Sequence, residues 1–163
     1  MAKKYKEPRV RIAKAGDRNL FRKLWMAFLE EAYNGKDAEI KPTEHNLDRY
    51  SALFDAYVGK ELPGVVLFVG EAAVLMWGTT PMPFESDTQQ RAIGWGVYVK
   101  PSFKDKDYVK LIKTEAIQLL KSMNCDEVIL DVKSGGGDKA ELLEGASIYS
   151  TLYRIDLNER HSN

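Results

Sequence analysis

The sequence predicts an α/β fold in a single domain, with one mixed sheet that is flanked by helices on both faces. A chain of 163 residues fits one ordinary domain. Its composition, 44% hydrophobic and 29% charged residues, is typical of a soluble globular protein. Strand-like and helix-like patterns follow one another as strand, two helices, three strands, helix, strand, short helix and strand. Such an order favours one sheet with helices packed against it.

The first third of the chain predicts a strand and two helices. Apolar and polar residues alternate over Val10–Ala13, which predicts the first strand. Apolar residues then recur at helical spacing after Asp17, which is the expected N-cap, and this helix should end near residues 34–35. A second helix should follow, capped by Thr43 with Asn46 or by Asn46 alone.

The middle of the chain predicts a hairpin followed by a longer strand. Val65–Val69 and Ala72–Thr79 are apolar runs separated by a tight turn at residues 70–71, a pattern typical of two antiparallel strands. The next strand is predicted over Ala92–Val99. Simple alternation divides its side chains between two faces, with Ala92, Gly94, Gly96 and Tyr98 opposite Ile93, Trp95, Val97 and Val99.

Two positions of this strand carry glycine. Gly94 and Gly96 would share one face under simple alternation, and glycines inside a strand indicate a β-bulge or the close approach of a ligand. Trp95 lies between them, and we expect it to have a structural role, because aromatic side chains on strands more often fill a core than contact a ligand.

The last third of the chain predicts a helix, a strand, a short helix and a final strand. Tyr108–Met123 has a clear apolar stripe, and Glu127–Val132 is rich in β-branched residues. A short helix is expected over Ala140–Leu143, and Ser147–Leu157 alternates like a strand. The long helix would serve as the crossover that a parallel pair of strands requires.

The segment that follows the Ala92–Val99 strand carries the most informative motif. Residues 97–109 read Val-Tyr-Val-Lys-Pro-Ser-Phe-Lys-Asp-Lys-Asp-Tyr-Val, and an aliphatic pair follows at 111–112. This segment resembles the central motif of the GNAT superfamily of acyl-CoA-dependent N-acetyltransferases, in which a strand ending Val-x-Pro leads through a phosphate-binding loop into a helix. The resemblance implies a single GNAT-like domain over residues 1–163, with acetyl-CoA as the co-substrate and a primary amine as the acceptor.

The resemblance also implies which residues hold the cofactor. In the family, the backbone of this strand pairs with the pantetheine arm and the loop binds the pyrophosphate. A loop before a helix N-terminus suits an anion, because it presents unpaired N–H groups and a partial positive charge. The implied cofactor-binding residues are Val97, Val99, Lys104, Asp105, Lys106, Asp107, Tyr108 and Val109.

This loop departs from the family pattern, since Asp105 and Asp107 occupy positions where the family has glycines. A carboxylate beside a pyrophosphate is repelled, although nearby lysines can offset the repulsion. The alternative interpretation is a charged helix start with no ligand, in which Asp105 or Asp107 serves as the N-cap.

Acetyl transfer requires a base for the attacking ammonium and an acid for the leaving thiolate. Glu85 and Asp87 precede the central strand and are the candidate bases, acting through water. The family's frequent acid is a tyrosine on the last short helix, where this sequence has Glu144. Tyr149 and Tyr153 on the predicted final strand are the candidate substitutes, with Tyr149 preferred. Some members of the family have a glutamate on the central strand, where this sequence has Ile93 and Trp95.

Charge is unevenly distributed along the chain. Residues 1–24 hold nine basic residues against two acidic ones, whereas residues 25–90 hold eleven acidic residues against four basic ones. One interpretation is a solvated basic terminus that packs near an acidic face. The other is an acidic surface that attracts a cationic substrate or partner.

Composition narrows the classes of partner and compartment. A net charge of zero argues against nucleic acid, and no apolar run is long enough for a membrane helix or a signal peptide. A single cysteine excludes an intrachain disulfide, and the two histidines show no metal-ligand spacing, so no metal site is expected. We expect a cytoplasmic protein whose acceptor is a small-molecule or protein amine, with its oligomeric state, a homodimer included, left open.

Two functions remain compatible with the sequence. The first is an N-acetyltransferase that moves an acetyl group from acetyl-CoA to a primary amine. The second is a GNAT-fold protein that has lost catalysis and acts as a binding or assembly module, because fold alone does not fix function.

Overall fold

The computed structural model of the chain describes residues 9–32, 42–78, 91–104 and 106–130. The predicted short helix at 140–143 and the predicted final strand at 147–157 lie outside these residues. The helices and strands, in chain order, are β1 (Val10–Ile12), α1 (Arg18–Ala32), α2 (Glu44–Val58), β2 (Gly64–Val69), β3 (Ala73–Gly78), β4 (Arg91–Val99), α3 (Tyr108–Ser122) and β5 (Glu127–Leu130).

The described strands form one mixed sheet in the order β1-β2-β3-β4-β5. Strands β1 to β4 pair antiparallel with their neighbours, whereas β4 and β5 pair parallel from Arg91↔Glu127 to Gly94↔Leu130. A short turn joins β2 to β3, α1 and α2 lie between β1 and β2, and α3 supplies the crossover that the parallel pair requires. The predicted mixed α/β sheet is confirmed.

Helices cover both faces of the sheet, as the sequence predicts. On one face, α3 packs against β2, β3 and β4 through buried, mainly aliphatic side chains; we call this the α3 face. On the other, α1 and α2 pack side by side over an aromatic-rich core, the α1–α2 face. Within the described residues, no helix is both long and apolar enough to cross a membrane.

The start of α1 differs from the prediction. Asp17 closes a 3-10 turn that precedes the helix, and its carboxylate accepts the Lys14 backbone N–H at 2.8 Å and the Arg11 guanidinium at 2.6 Å. Asp17 is therefore not the N-cap of α1, because its oxygens are engaged on the preceding turn. The bidentate Arg11 contact lowers the pKa of the Asp17 carboxyl.

The start of α2 follows the prediction. The Thr43 hydroxyl accepts the Asn46 backbone N–H at 3.2 Å, which makes Thr43 the N-cap. The helix ends at Gly59, whose N–H donates to the Asp55 carbonyl at 2.8 Å. The left-handed backbone that commonly follows a helix falls on the next residue, Lys60, at φ 61°.

Arginines of α1 pair with carboxylates of α2 on the protein surface. The Arg18 side chain contacts Asp55 at 3.0 Å, and Arg22 contacts Asp48 at 2.6 Å and Glu44 at 2.7 Å. Part of the basic N-terminal segment therefore lies against part of the acidic segment. This contact favours the first interpretation of the charge pattern for these residues.

Strand β4 contains a β-bulge that overturns the predicted division of its faces. Met76 lies opposite Gly96, but Trp77 lies opposite Gly94, so Trp95 is the extra residue. The bulge moves the side chains after it by one position relative to simple alternation. Two groups result, with Ala92, Gly94, Val97 and Val99 on the α3 face and Trp95, Gly96 and Tyr98 on the α1–α2 face.

The two glycines of β4 therefore lie on opposite faces, contrary to the prediction that they share one. A Cβ at Gly94 would lie 2.2 Å from the Leu130 side chain, and a Cβ at Gly96 would lie 2.6 Å from the Phe28 ring. The predicted bulge is present. The close approach at each glycine is made by another side chain of the protein, which explains both residues without a ligand.

Candidate functional site

The backbone of β4 points its hydrogen-bonding groups in a direction that suits the predicted pantetheine contact. The Lys100 N–H donates to the Ala72 carbonyl beside β3 at 2.8 Å. Because successive N–H groups of a strand alternate between its two edges, Tyr98 also directs its backbone groups toward β3. Val97 and Val99 consequently direct theirs toward the opposite edge of β4.

That opposite edge is the one on which β5 pairs. The described pairing of β5 ends at Gly94↔Leu130, and Val97 and Val99 lie beyond it along β4. An extended ligand at this edge would meet backbone donors and acceptors in the spacing of a strand. The structure therefore places the predicted backbone groups at one edge and in one direction.

The loop between β4 and α3 is a series of tight turns. The Phe103 N–H donates to the Lys100 carbonyl at 2.9 Å, Lys104 to Pro101 at 3.4 Å, and Lys106 to Phe103 at 3.1 Å. These amides already have backbone acceptors. The Tyr108 N–H also donates, to the Lys106 carbonyl at 2.5 Å, so an anion at this site would meet the amides that follow Tyr108 in the first turn of α3.

The side chains of the first two residues of α3 are buried, so only the backbone groups of these two residues could contact an anion. Tyr108 and Val109 are both buried on the α3 face, and Tyr108 stacks on Phe103 with ring centroids 5.9 Å apart. Burial of these side chains fixes the direction of the helix start. Lys106 and Lys110 flank them and are exposed.

Asp107 lies immediately before α3 but does not cap it through its side chain. Its backbone φ and ψ are −64° and 37°, whereas an N-cap residue typically has an extended backbone. The alternative in which Asp107 is a side-chain N-cap is therefore wrong. Asp105 lies outside the described residues.

Lys104 connects the loop to the other side of the sheet. Its ammonium forms an ion pair with the carboxylate of Glu31, in the last turn of α1. The sequence predicts that Lys104 contributes positive charge to a phosphate site. In the structure, a carboxylate competes for that charge.

The predicted catalytic residues lie outside the described residues: Glu85, Asp87, Tyr149 and its alternative Tyr153. Their roles as water-linked bases and as the acid stay predictions.

A second group of residues, which the sequence does not reveal, surrounds the bulge on the α1–α2 face. The Trp95 indole N–H donates to the Tyr57 hydroxyl at 2.9 Å. Tyr57 is buried, which raises the pKa of its phenol, while the hydrogen bond from Trp95 acts in the opposite direction. Tyr57 packs over Gly64 and Gly78, where an added Cβ would lie 2.4 Å and 2.3 Å from its ring.

Further rings continue this group toward α1. The rings of Tyr50 and Trp95 meet edge to face, with centroids 6.3 Å apart. Trp25 lies behind them, 5.5 Å from Tyr50 and 4.9 Å from Phe28. The cross-strand pair Gly64↔Gly78 is the one sequence feature that could have pointed here, because paired glycines leave room for a ring.

Comparison by sequence alone finds no matching family model and no matching curated protein. Comparison of structures finds acetyltransferases. The chain is similar to AAC(6')-Iy in complex with the bisubstrate analogue CoA-S-monomethyl-acetylneamine, at 11% identity and a TM-score of 0.59, over 93% of this chain and 97% of that one.

Two further solved structures show the same similarity. The ribosomal-protein-alanine N-acetyltransferase from Brucella melitensis biovar Abortus 2308 matches at 13% identity and a TM-score of 0.64, over 92% of this chain and 99% of that one. An acetyltransferase from Trypanosoma brucei matches at 16% identity and a TM-score of 0.59, over 91% and 99%. The chain has the GNAT fold, as the motif at residues 97–109 predicts.

Proposed function

We propose that the protein is an N-acetyltransferase that transfers an acetyl group from acetyl-CoA to a primary amine. The observation that carries this proposal is the direction of the β4 backbone. Val97 and Val99 turn their hydrogen-bonding groups away from β3, and the strand then leads directly to the N-terminus of α3. A pantetheine arm and a pyrophosphate require these two features in this order.

In this proposal, the pantetheine amides pair with Val97 and Val99 as an added strand would. The pyrophosphate lies at the first turn of α3, near the backbone of Tyr108 and Val109, where the helix dipole favours negative charge. Lys104 and Lys106 add positive charge, and Asp105 and Asp107 weaken the site by repulsion.

The transfer forms one bond and breaks another. The neutral amine nitrogen attacks the thioester carbonyl, a C–N bond forms, and the C–S bond breaks to release CoA. The first proton, lost by the ammonium before attack, passes through water to Glu85 or Asp87, and Tyr149 supplies a proton to the thiolate as the C–S bond breaks. The second proton, lost by the nitrogen as the amide forms, passes through water to restore the Tyr149 phenol. The acceptor is a small-molecule or protein amine, and we assign residues 1–163 to one GNAT-like domain that acts in the cytoplasm.

One alternative function has specific support. The loop amides of Phe103, Lys104 and Lys106 already have backbone acceptors, and Lys104 pairs with Glu31. These contacts favour a GNAT-fold protein that no longer binds acetyl-CoA and acts as a binding or assembly module. The two functions differ in one measurable property, which is affinity for acetyl-CoA.

A thermal-unfolding titration with acetyl-CoA separates them. A ligand at 100 times its Kd adds about 2.7 kcal/mol to the free energy of unfolding. For a domain of this size, we expect Tm to rise by roughly 5–10 °C. Release of the CoA thiol in the presence of a primary amine then tests transfer itself. An unchanged Tm at millimolar acetyl-CoA would refute the transferase and leave the module.

A further inference from the structure

We propose that the partly exposed rings of Trp95, Tyr50 and Phe28, here called the aromatic wall, bind the acceptor, and that the acceptor is a primary ammonium ion with an aromatic body. This inference rests on the proposed function, because it assigns the substrate class of the same site. It gives Trp95 a binding role in addition to the structural role that the sequence predicts.

The bulge is what places Trp95 in the aromatic wall. Trp95 is the extra residue of β4, the strand that also carries the proposed cofactor contacts, and its side chain projects onto the α1–α2 face. Tyr50 meets it at an interplanar angle of 75°, and the Phe28 ring covers Gly96, the next residue of β4. Three rings from α1, α2 and β4 therefore lie next to one another while each retains some exposed surface.

The aromatic wall is held in place from behind. The Trp95 N–H is already donated to Tyr57, so a ligand that reaches Trp95 meets ring surface rather than a hydrogen-bond donor. Tyr57 in turn cannot move toward the sheet, because it already packs against Gly64 and Gly78. A rigid ring surface favours an apolar, flat ligand group, since aromatic pairs gain free energy beyond the area that they bury.

The charges near the aromatic wall favour a cation. Glu30 and Glu31 lie in the last turn of α1, where the helix dipole is also negative and the turn has no basic residue. Both carboxylates act on Tyr98, a neighbour of the wall on β4: burial raises the pKa of its phenol most, the charges of Glu31 and Glu30 raise it further, and the charge of Lys104 lowers it. Lys104 is paired with Glu31, so Glu30, Glu31 and Lys104 together still carry a net negative charge. An ammonium ion is attracted by such carboxylates and by the faces of aromatic rings.

The indole N–H signals of the full chain provide the test. The chain has three tryptophans, so a ¹H–¹⁵N spectrum contains three indole signals, which single Trp→Phe variants assign. We expect 2-phenylethylamine to shift the Trp95 signal in a saturable way and to leave Trp77, which is buried on the α3 face, unmoved. Ethanolamine at the same concentration should leave the Trp95 signal unmoved.

Two variants separate the aromatic wall from general destabilisation. Tyr50→Leu keeps an apolar side chain but removes one ring, and we expect the affinity for 2-phenylethylamine to fall about fivefold. Leu119→Ala shortens a partly buried residue on the opposite face and should leave that affinity unchanged. Equal losses in both variants, or an unmoved Trp95 signal in the parent, would overturn the proposal.

The titration is run with and without CoA, which has no acetyl group to transfer. If 2-phenylethylamine shifts the Trp95 signal but acetyl-CoA leaves Tm unchanged in the thermal-unfolding titration, the aromatic wall is upheld and the transferase is refuted. If acetyl-CoA raises Tm but the amine leaves the Trp95 signal unmoved, the aromatic wall is overturned and acetyl-CoA binding is upheld.

Discussion

The α3 face and the α1–α2 face belong to one sheet but bury different chemistry. The α3 face is closed by aliphatic residues such as Ile112, Ala116 and Leu120, all almost fully buried. The α1–α2 face is closed largely by rings, and it also buries polar groups: the Tyr57 hydroxyl, the Ser51 hydroxyl, and the Trp25 N–H, which has no acceptor among the described residues.

This difference assigns the two faces different tasks. Aliphatic side chains in well-defined rotamers make a core whose loss affects stability alone. Rings with polar groups define positions and directions more strictly, because each buried polar group requires a partner. We therefore expect changes in the α3-face core to alter stability without altering amine affinity, and changes on the α1–α2 face to alter stability and amine affinity together.

The largest expected effect is on the α3 face. Ile112 is completely buried under α3, so Ile112→Ala should lower the free energy of unfolding by about 3 kcal/mol, measured by urea denaturation. The affinity for 2-phenylethylamine, measured under conditions where the variant is folded, should not change. A specific loss of amine affinity would show that the two faces are not separate in function.

The next largest effect on stability is expected at Gly78, against which the Tyr57 ring packs. A Cβ at Gly78 would lie 2.3 Å from the Tyr57 ring, so Gly78→Ala should displace the ring and lower the free energy of unfolding by about 2 kcal/mol. Gly16→Ala is the matched control, because nothing lies within 4 Å of a Cβ at that position. The Trp95 indole signal should shift in Gly78→Ala and stay in place in Gly16→Ala. An unchanged free energy of unfolding and an unmoved Trp95 signal in Gly78→Ala would disprove the packing of Tyr57 against Gly78.

A smaller effect is expected at the hydroxyl itself. Tyr57→Phe leaves the Trp95 N–H without its acceptor and should lower the free energy of unfolding by about 1 kcal/mol at pH 7. Burial raises the pKa of Tyr57 in the folded state, so its contribution is present below pH ~10 and is lost as pH rises through the folded pKa. The difference in free energy of unfolding between the parent and Tyr57→Phe should therefore narrow above pH ~10, which denaturation curves at alkaline pH measure. A constant difference would contradict the burial of this phenol.

Local patterns in the sequence predict most of the described fold. The Thr43 cap, the turn at Gly70 and the apolar stripe of α3 each depend on residues within a few positions of one another. The faces of β4 could not be predicted in the same way. The bulge at Trp95 arises from how β4 pairs with β3, and alternation within one strand contains no information about that pairing.

The candidate site shows the same contrast between features of one continuous segment and contacts between distant residues. The cofactor role of Val97 and Val99 stays a prediction, but it could be formulated from the sequence because both residues belong to one continuous motif. The contact between Trp95 and Tyr57 joins residues 38 positions apart, and neither residue type marks a site by itself. The residue type of Asp107 favours side-chain capping, but the backbone conformation there prevents it.

Calorimetric titration of acetyl-CoA into the parent and into the Asp105→Gly/Asp107→Gly double variant tests the central claim most directly. Removing two carboxylates near a pyrophosphate should raise the affinity about tenfold, or about 1.4 kcal/mol. Because Asp107 makes no side-chain cap, its replacement should cost α3 little stability. We expect the parent to bind one acetyl-CoA and the double variant to bind it more tightly. Absence of binding in both proteins would contradict the account and support the assembly module.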